Sequence, residues 1–361
     1  MIRNTSQDDL KAAIMTRSST TLGMLIAVVA AASFGLSGAL VKPVLEAGWS
    51  PAAAVTLRVL IGGAVLAPFA ILALKGRWIA LWYARSRILL MATIGVSGTQ
   101  LVYFAAIERI PVGIAILLEY MAPLLLVAFA WVTSRRTPKA VVLIGSVVAL
   151  GGLILVVSPE GSGALDPLGI LFGACAAVGA AVYYVIAART SEGLPAVALA
   201  SAGLLIGGVI LGLVGLVGIV PFDMPMVDVT VLGVVAPWWV PLLIVGIVAT
   251  GIAYSTSIMA SEMLGSRLAS FVGLLEVVTA AIYAWLLIGE NLSVMQFIGG
   301  ALILAGIAFV RSEKSEEFSD FTIEAEAFPS DDDEPILAPA SAPLEPGTDT
   351  VPLRHVQSLG G

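Results

Sequence analysis

The chain contains one cysteine and one histidine. Cys175 lies inside an apolar run, so the sequence has neither a disulfide framework nor a cysteine metal site. His355 lies in a polar, acidic stretch near the C-terminus. That placement removes Ser-His-Asp and Cys-His arrangements, and any histidine metal cluster. Charge is scarce too: 12% of the 361 residues are charged, against roughly 25% in soluble domains. No Gly-x-x-x-x-Gly-Lys-Ser/Thr loop occurs and no Gly-x-Gly-x-x-Gly follows a strand. Pairs such as Gly151-Gly152 and Gly299-Gly300 are therefore read as places where helix backbones pack closely. No cofactor and no metal are expected. What the chain does have is apolar length, with 59% hydrophobic residues and a mean hydropathy of +1.02.

That length falls into ten runs: 22–41, 52–74, 88–107, 112–132, 140–157, 167–188, 196–220, 238–260, 267–288 and 294–311. Each is near the ~20 residues that cross a hydrocarbon core. The first exceeds the h-region of a cleavable signal, about 7–15 residues, and is expected to be retained. The predicted fold class is thus an all-α integral membrane protein with ten transmembrane helices. A polar segment, 1–21, precedes two five-helix halves, 22–157 and 167–311. From Ser312 onward the chain holds 12 acidic and 2 basic residues, a composition too polar to bury a core, and 312–361 is expected to be a disordered acidic tail.

Lysine and arginine in the connections set the expected orientation. With the N-terminus inside, 15 basic residues fall on the inner side and two, Lys42 and Arg109, on the outer side. Glu160, Asp166, Asp223 and Asp228 share that outer side. The expected location is the inner (plasma) membrane, multi-pass, with both termini cytoplasmic.

The chain repeats itself. Leu117-Leu118-Glu119 matches Leu274-Leu275-Glu276, and Ile94-Gly95…Gln100…Tyr103 matches Val245-Gly246…Gly251…Tyr254. The two offsets, 157 and 151 residues, are reconciled by an insertion around Ser261–Ser266. Five spans per half is an odd number, so the second half enters the membrane inverted. Inverted repeats are the architecture of alternating access, with a site near the midplane.

The runs YFAAIERIPVGIAILLEYMAPLLLVAFAW (103–131) and LLEVVTAAIYAWLLIGENLS (274–293) resemble the two EamA-type repeats of the drug/metabolite transporter superfamily. The pattern Ile-Pro-x-Gly-x-Ala…Leu-Glu from Ile110 to Glu119 is most similar to the threonine/homoserine exporter branch. The resemblance covers about 22–311. It implies a ten-helix secondary exporter of small metabolites, amino acids first, driven by the proton gradient. Gly289-Glu290 fits the family's closing motif. Val277 departs from it, since second repeats of the family usually carry proline after the glutamate.

The residues that carry chemistry are few. A carboxylate at the centre of a membrane helix costs at least ~2.5 kcal/mol on insertion scales, and Glu119 and Glu276 each incur that cost, about 11 and 13 Å deep by helical rise. Either binds a substrate ammonium or a proton, or else hydrogen-bonds to backbone. Arg58, about 10 Å from the outer interface, holds a substrate carboxylate, pairs with Glu119 as a gate, or snorkels. Pro123 lacks an N–H and frees a carbonyl near residue 119, which either breaks the helix beside a site or only kinks it. Tyr103, Gln100, Tyr120, Tyr254 and Trp285 complete the candidate lining.

The function expected is secondary active export of amino acids or similar small metabolites by alternating access, proton-coupled. Efflux of cationic drugs or nucleobases, or uptake, is the alternative within transport. An intramembrane enzyme would need a nucleophile–base pair or metal cluster that the sequence lacks, and a scaffold would need no buried charge. The expected partners are a small-molecule substrate, protons and the lipid bilayer, with no nucleic acid. A homodimer is left open.

Overall fold

The computed structural model describes residues 5–312 apart from 111, 136, 158–165, 190–192 and 289–292. The acidic tail, the Gly289-Glu290 motif and Pro111 lie outside the described residues. The helices are α1 (Thr5–Glu46), α2 (Pro51–Leu74), α3 (Arg85–Ile107), α4 (Val112–Glu119), α5 (Ala122–Ser134), α6 (Ala140–Val157), α7 (Pro167–Ala188) and α8 (Ala196–Leu216). A short hairpin follows, β1 (Val229–Val231) and β2 (Val234–Ala236), and then α9 (Trp239–Gly273), α10 (Leu275–Leu287) and α11 (Val294–Ser312).

Among the described residues, eight helical stretches are long and apolar enough to cross a membrane. One of them joins α4 to α5, and two shorter apolar helices, Ala140–Val156 and Leu275–Leu287, accompany the eight. Large side chains such as Leu72 and Val132 stand 73% and 76% exposed, as the surface of a bundle solvated by lipid requires. The structure is a multi-span helical membrane bundle.

Local chemistry sets the helix ends. Ser50 accepts a hydrogen bond from the Ala53 N–H, and Pro51 occupies the first turn of α2. Asp166 accepts one from the Leu168 N–H ahead of Pro167 in α7. Each cap satisfies a backbone donor that the helix leaves unpaired.

The first helix runs past its expected bounds of 22–41, to Thr5 and Glu46, and two further boundaries differ at glycines. The run expected to end at 260 continues to Gly273, and its direction changes at Gly265, where φ is 78° and ψ 161°. Only glycine enters that region freely, so the turn between spans needs no loop. The run expected to reach 220 stops at Leu216, with Gly218 at φ 76° just beyond.

The packing is reciprocal. α3 packs on α7 and α8, while α9 packs on α1 and α2. α4 lies against α7 and α10 against α1, and α2 packs on α8. Both α3 and α9 widen into a π-helical stretch, Met91–Gly98 and Val245–Ile252. In α3 the Ser97 and Thr99 hydroxyls donate back to the Ala92 and Ile94 carbonyls, each 2.7 Å away. Between α6 and α11 glycines face one another. A Cβ on Gly152 would lie 2.5 Å from the Gly299 carbonyl, and one on Gly306 2.6 Å from that of Gly145. These backbones touch because neither carries a side chain.

Candidate functional site

Glu119 is the last residue of α4. Tyr120 and Met121 form a turn, and Pro123 sits in the first turn of α5. The Tyr120 N–H donates to the Ile116 carbonyl and the Met121 N–H to that of Leu118, both at 3.0 Å. The Glu119 carbonyl would take the N–H of residue 123, which proline lacks. The span is therefore broken at its carboxylate.

Glu276 also sits at a break, made differently. α9 ends at Gly273, Leu274 turns, and Glu276 is in the first turn of α10. The Leu274 N–H donates to the Phe271 carbonyl at 3.1 Å and the Val277 N–H to the Leu274 carbonyl at 3.2 Å. The interruption forms without the proline that Val277 replaces. The Tyr184 hydroxyl lies against Gly273, in the space a Cβ would fill. The Thr279 hydroxyl donates to the Ala31 carbonyl of α1 at 3.1 Å. Gly35 of α1 lets the chains close further, since a Cβ there would stand 2.9 Å from the Glu276 carbonyl.

Both carboxylates are half-buried, and they act electrostatically on each other and on Arg58. The Tyr120 hydroxyl lies beside the Glu276 carboxylate. Arg58 donates from Nη1 to the Ser37 hydroxyl at 2.9 Å, while its buried Nε has no hydrogen-bond partner among the described residues. Tyr103 and Tyr254 lie within the field of all three charges. Gln100 is half-buried three residues before Tyr103. Trp285, 48% exposed on α10, is the member of the set that the geometry leaves at the outer surface of the helix.

Two groups were missed by sequence reasoning. Tyr183 and Tyr184 of α7 join Tyr254 and Phe34 in a run of edge-on rings, with centroids 5.2, 5.7 and 5.2 Å apart along Tyr184, Tyr183, Tyr254 and Phe34. The Tyr183 hydroxyl donates to that of Ser257 on α9 at 2.9 Å. The second group is Arg87, which the sequence places with the loop charges although it is only 7% exposed. Its Nε donates to the Ile186 carbonyl at 3.0 Å, and its Nη2 to the Ala187 carbonyl at 3.3 Å and to Glu262 at 3.2 Å. One guanidinium thus ties the start of α3 to the end of α7 and to α9. At the other end of α7, Arg109 pairs with Asp166 at 3.1 Å in an exposed position. The Leu168 N–H and then Arg109 hold the Asp166 carboxyl below its usual range.

Among the described residues, no group of three or more His, Cys, Asp or Glu is placed to hold a metal. Two carboxylates thus stand where membrane helices break, within the electrostatic influence of an arginine on an unbroken neighbour. The chain belongs to the EamA-like transporter family, whose sequence profile matches residues 21–158 and again 167–312. It is a family of secondary transporters, within the drug/metabolite transporter superfamily, rather than of enzymes. Two curated relatives are similar. One is the uncharacterized inner membrane transporter YicL of Salmonella typhimurium, 23% identical over 81% of this chain and 96% of its own length. The other is an uncharacterized transporter of Archaeoglobus fulgidus, 27% identical over 57% of this chain and 69% of its own. A crystal structure of a protein 21% identical superposes with a TM-score of 0.63, covering 81% of this chain and 97% of that one. It shares the fold.

Proposed function

We propose that the protein exports amino acids or similar small metabolites by proton-coupled alternating access. The observation that carries this reading is the convergence of Glu119, Glu276 and Arg58 from three spans. Arg58, with an unpartnered Nε, is suited to a substrate carboxylate. The carboxylates are suited to an ammonium and to an exchangeable proton. A zwitterion would satisfy all three at once, and an unpaired buried charge is otherwise costly.

Ten spans in two inverted halves are the arrangement we infer, supported by the two profile matches and by the reciprocal packing of α3 on α7 and α8 and of α9 on α1 and α2. The excess of basic residues supports cytoplasmic termini and residence in the inner membrane. The Ile110–Glu119 pattern supports the threonine/homoserine exporter branch as the narrower assignment. Arg87, bound to Glu262 and to the end of α7, would then clasp the cytoplasmic end and release it when the site opens inward.

One observation favours a second substrate class. Two carboxylates and five tyrosines against one arginine suit an organic cation, which aromatic faces also attract.

Counterflow in proteoliposomes tests both readings, with amino acids, nucleobases and a cationic dye assayed at two pH values. Amino-acid exchange that collapses in Glu119→Gln or Glu276→Gln is the expected result. Exchange of the dye alone would move the assignment to cations. Exchange unchanged in both variants would remove the glutamates from the site.

A further inference from the structure

The hairpin between α8 and α9 is chemically out of place for a loop in water. Its eight residues, Val229–Ala236, carry no charge, and Thr230 is their only polar side chain. The two central turn residues, Leu232 and Gly233, have φ of 53° and 78°. That is the turn that matches strand twist, and it normally takes Asn-Gly or Asp-Gly because both residues must be left-handed. A leucine is disfavoured there, since its Cβ crowds the backbone. The chain nevertheless holds an apolar side chain at the tip, 54% exposed.

The depth of the hairpin explains the choice. The preceding segment is pinned to the α1–α2 turn: the Ser50 N–H donates to the Asp223 carbonyl, the Asp223 N–H to the Ser50 hydroxyl, and the Trp49 indole to the Pro225 carbonyl. From there the strands fold back along the bundle. Val229 is buried, and Val231 packs on the cluster of Leu40, Val245 and Ala249. Leu40 is six residues inside the end of α1 and Val245 six residues inside the start of α9, so the hairpin descends about 9 Å along the spans. The Trp49 and Trp238 rings, 5.3 Å apart, stand at the level where tryptophans gather at a membrane interface. On the outward face Val235 stands 68% exposed.

We propose that this hairpin is a lipid anchor, with Leu232 and Val235 inserted into the headgroup–acyl boundary of the membrane the bundle spans. The insertion is shallow by necessity. Among the described residues β1 and β2 pair only with each other, and their outer N–H and C=O groups need water or headgroups, which the hydrocarbon core does not offer. Interfacial burial of apolar side chains also accounts for a leucine in place of the asparagine the turn would prefer. The anchor fixes the start of α9, the helix that carries the second π stretch and leads to Glu276.

The test uses the full-length chain in nanodiscs, one copy per disc, with Cys175→Ser as background. Leu232→Cys, Val235→Cys and, as a water-side control, Asp228→Cys are each labelled with an environment-sensitive fluorophore. At 232 and 235 the expected results are blue-shifted emission, loss of iodide quenching, and quenching by lipids labelled near the headgroup. Adding Leu232→Asn to the Val235→Cys protein should return the emission towards that of the control, without loss of the folded monomer. Iodide quenching equal to the control at both positions would overturn the anchor. Protection from iodide without quenching by labelled lipid would overturn it as well, and would assign the surface to a second copy or another protein.

Discussion

The same three residues, Leu-Leu-Glu, end in two unlike breaks. At Glu119 the interruption is covalent, because Pro123 cannot donate to the Glu119 carbonyl whatever surrounds it. At Glu276 nothing in the local backbone forbids a continuous helix. The turn at Leu274 is accompanied by the Tyr184 hydroxyl against Gly273, the Thr279 hydroxyl on Ala31, and the close approach of Gly35. The first carboxylate terminates its helix, and the second begins one. A helix start presents N–H groups to its side chain and a helix end presents carbonyls. The repeat therefore supplies two similar side chains in opposite backbone surroundings. It also makes one break a property of the chain and the other a property of the packing.

The largest expected effect separates the carboxylates. Glu276→Gln removes the charge beside the Tyr120 hydroxyl and, with it, a proposed substrate ligand. A hydrogen bond to a charged group contributes ~1.5–3 kcal/mol, so exchange should fall by about ten- to hundredfold. Glu119→Gln, which has no such partner among the described residues, should abolish the pH dependence of exchange more completely than its rate at the optimum. Initial rates across a pH series would measure both, and identical profiles for the two variants would erase the proposed division.

Gly273→Ala should act on the packed break alone. Its Cβ meets the Tyr184 hydroxyl, and overpacking costs roughly 1–3 kcal/mol. Thermal unfolding in detergent should show a lowered Tm, and adding Tyr184→Phe should restore most of it. A Tm unchanged by Gly273→Ala would show that the contact yields freely.

Pro123→Ala should act on the covalent break in the opposite sense. The new N–H can reach the Glu119 carbonyl, adding a hydrogen bond worth about 0.5–1.5 kcal/mol. Tm should rise slightly while exchange falls, and a gain in both would argue that the break serves no site.

The smallest effect concerns α7, which supplies the tyrosines of the packed break. Asp166 has a carboxyl held below its ordinary value by the Leu168 N–H and Arg109. Its contribution is full above the unfolded value of about 3.9 and is lost as pH falls through the lowered folded value. Asp166→Asn should therefore change unfolding little in acid and slightly more near neutrality, as melting at two pH values would show.

Much of this comparison was legible in the sequence, because its signal is strong in each residue alone. A carboxylate amid leucines has few innocent explanations, and Pro123 announces its break. The second break has no residue that announces it, and Val277 pointed away from one. Arg87 looked like any basic residue at the start of a span; only the fold brings it to Glu262 and two carbonyls. Tyr183-Tyr184 is indistinguishable from packing until Gly273 and Ser257 arrive from far along the chain. The bend at Gly265 left one glycine as its trace in a sequence with 37, and three-residue strands are too short to show a period.

The facing glycines of α6 and α11 have a consequence for the route a solute takes. Where Gly152 meets the Gly299 carbonyl and Gly306 that of Gly145, no width remains between the two helices for even a water molecule. That pair is a closed seam, like the spine of a book. The meeting of α3, α7 and α9 is held differently, by hydroxyls and a guanidinium that can let go, and under the proposed function it is there that a passage would open.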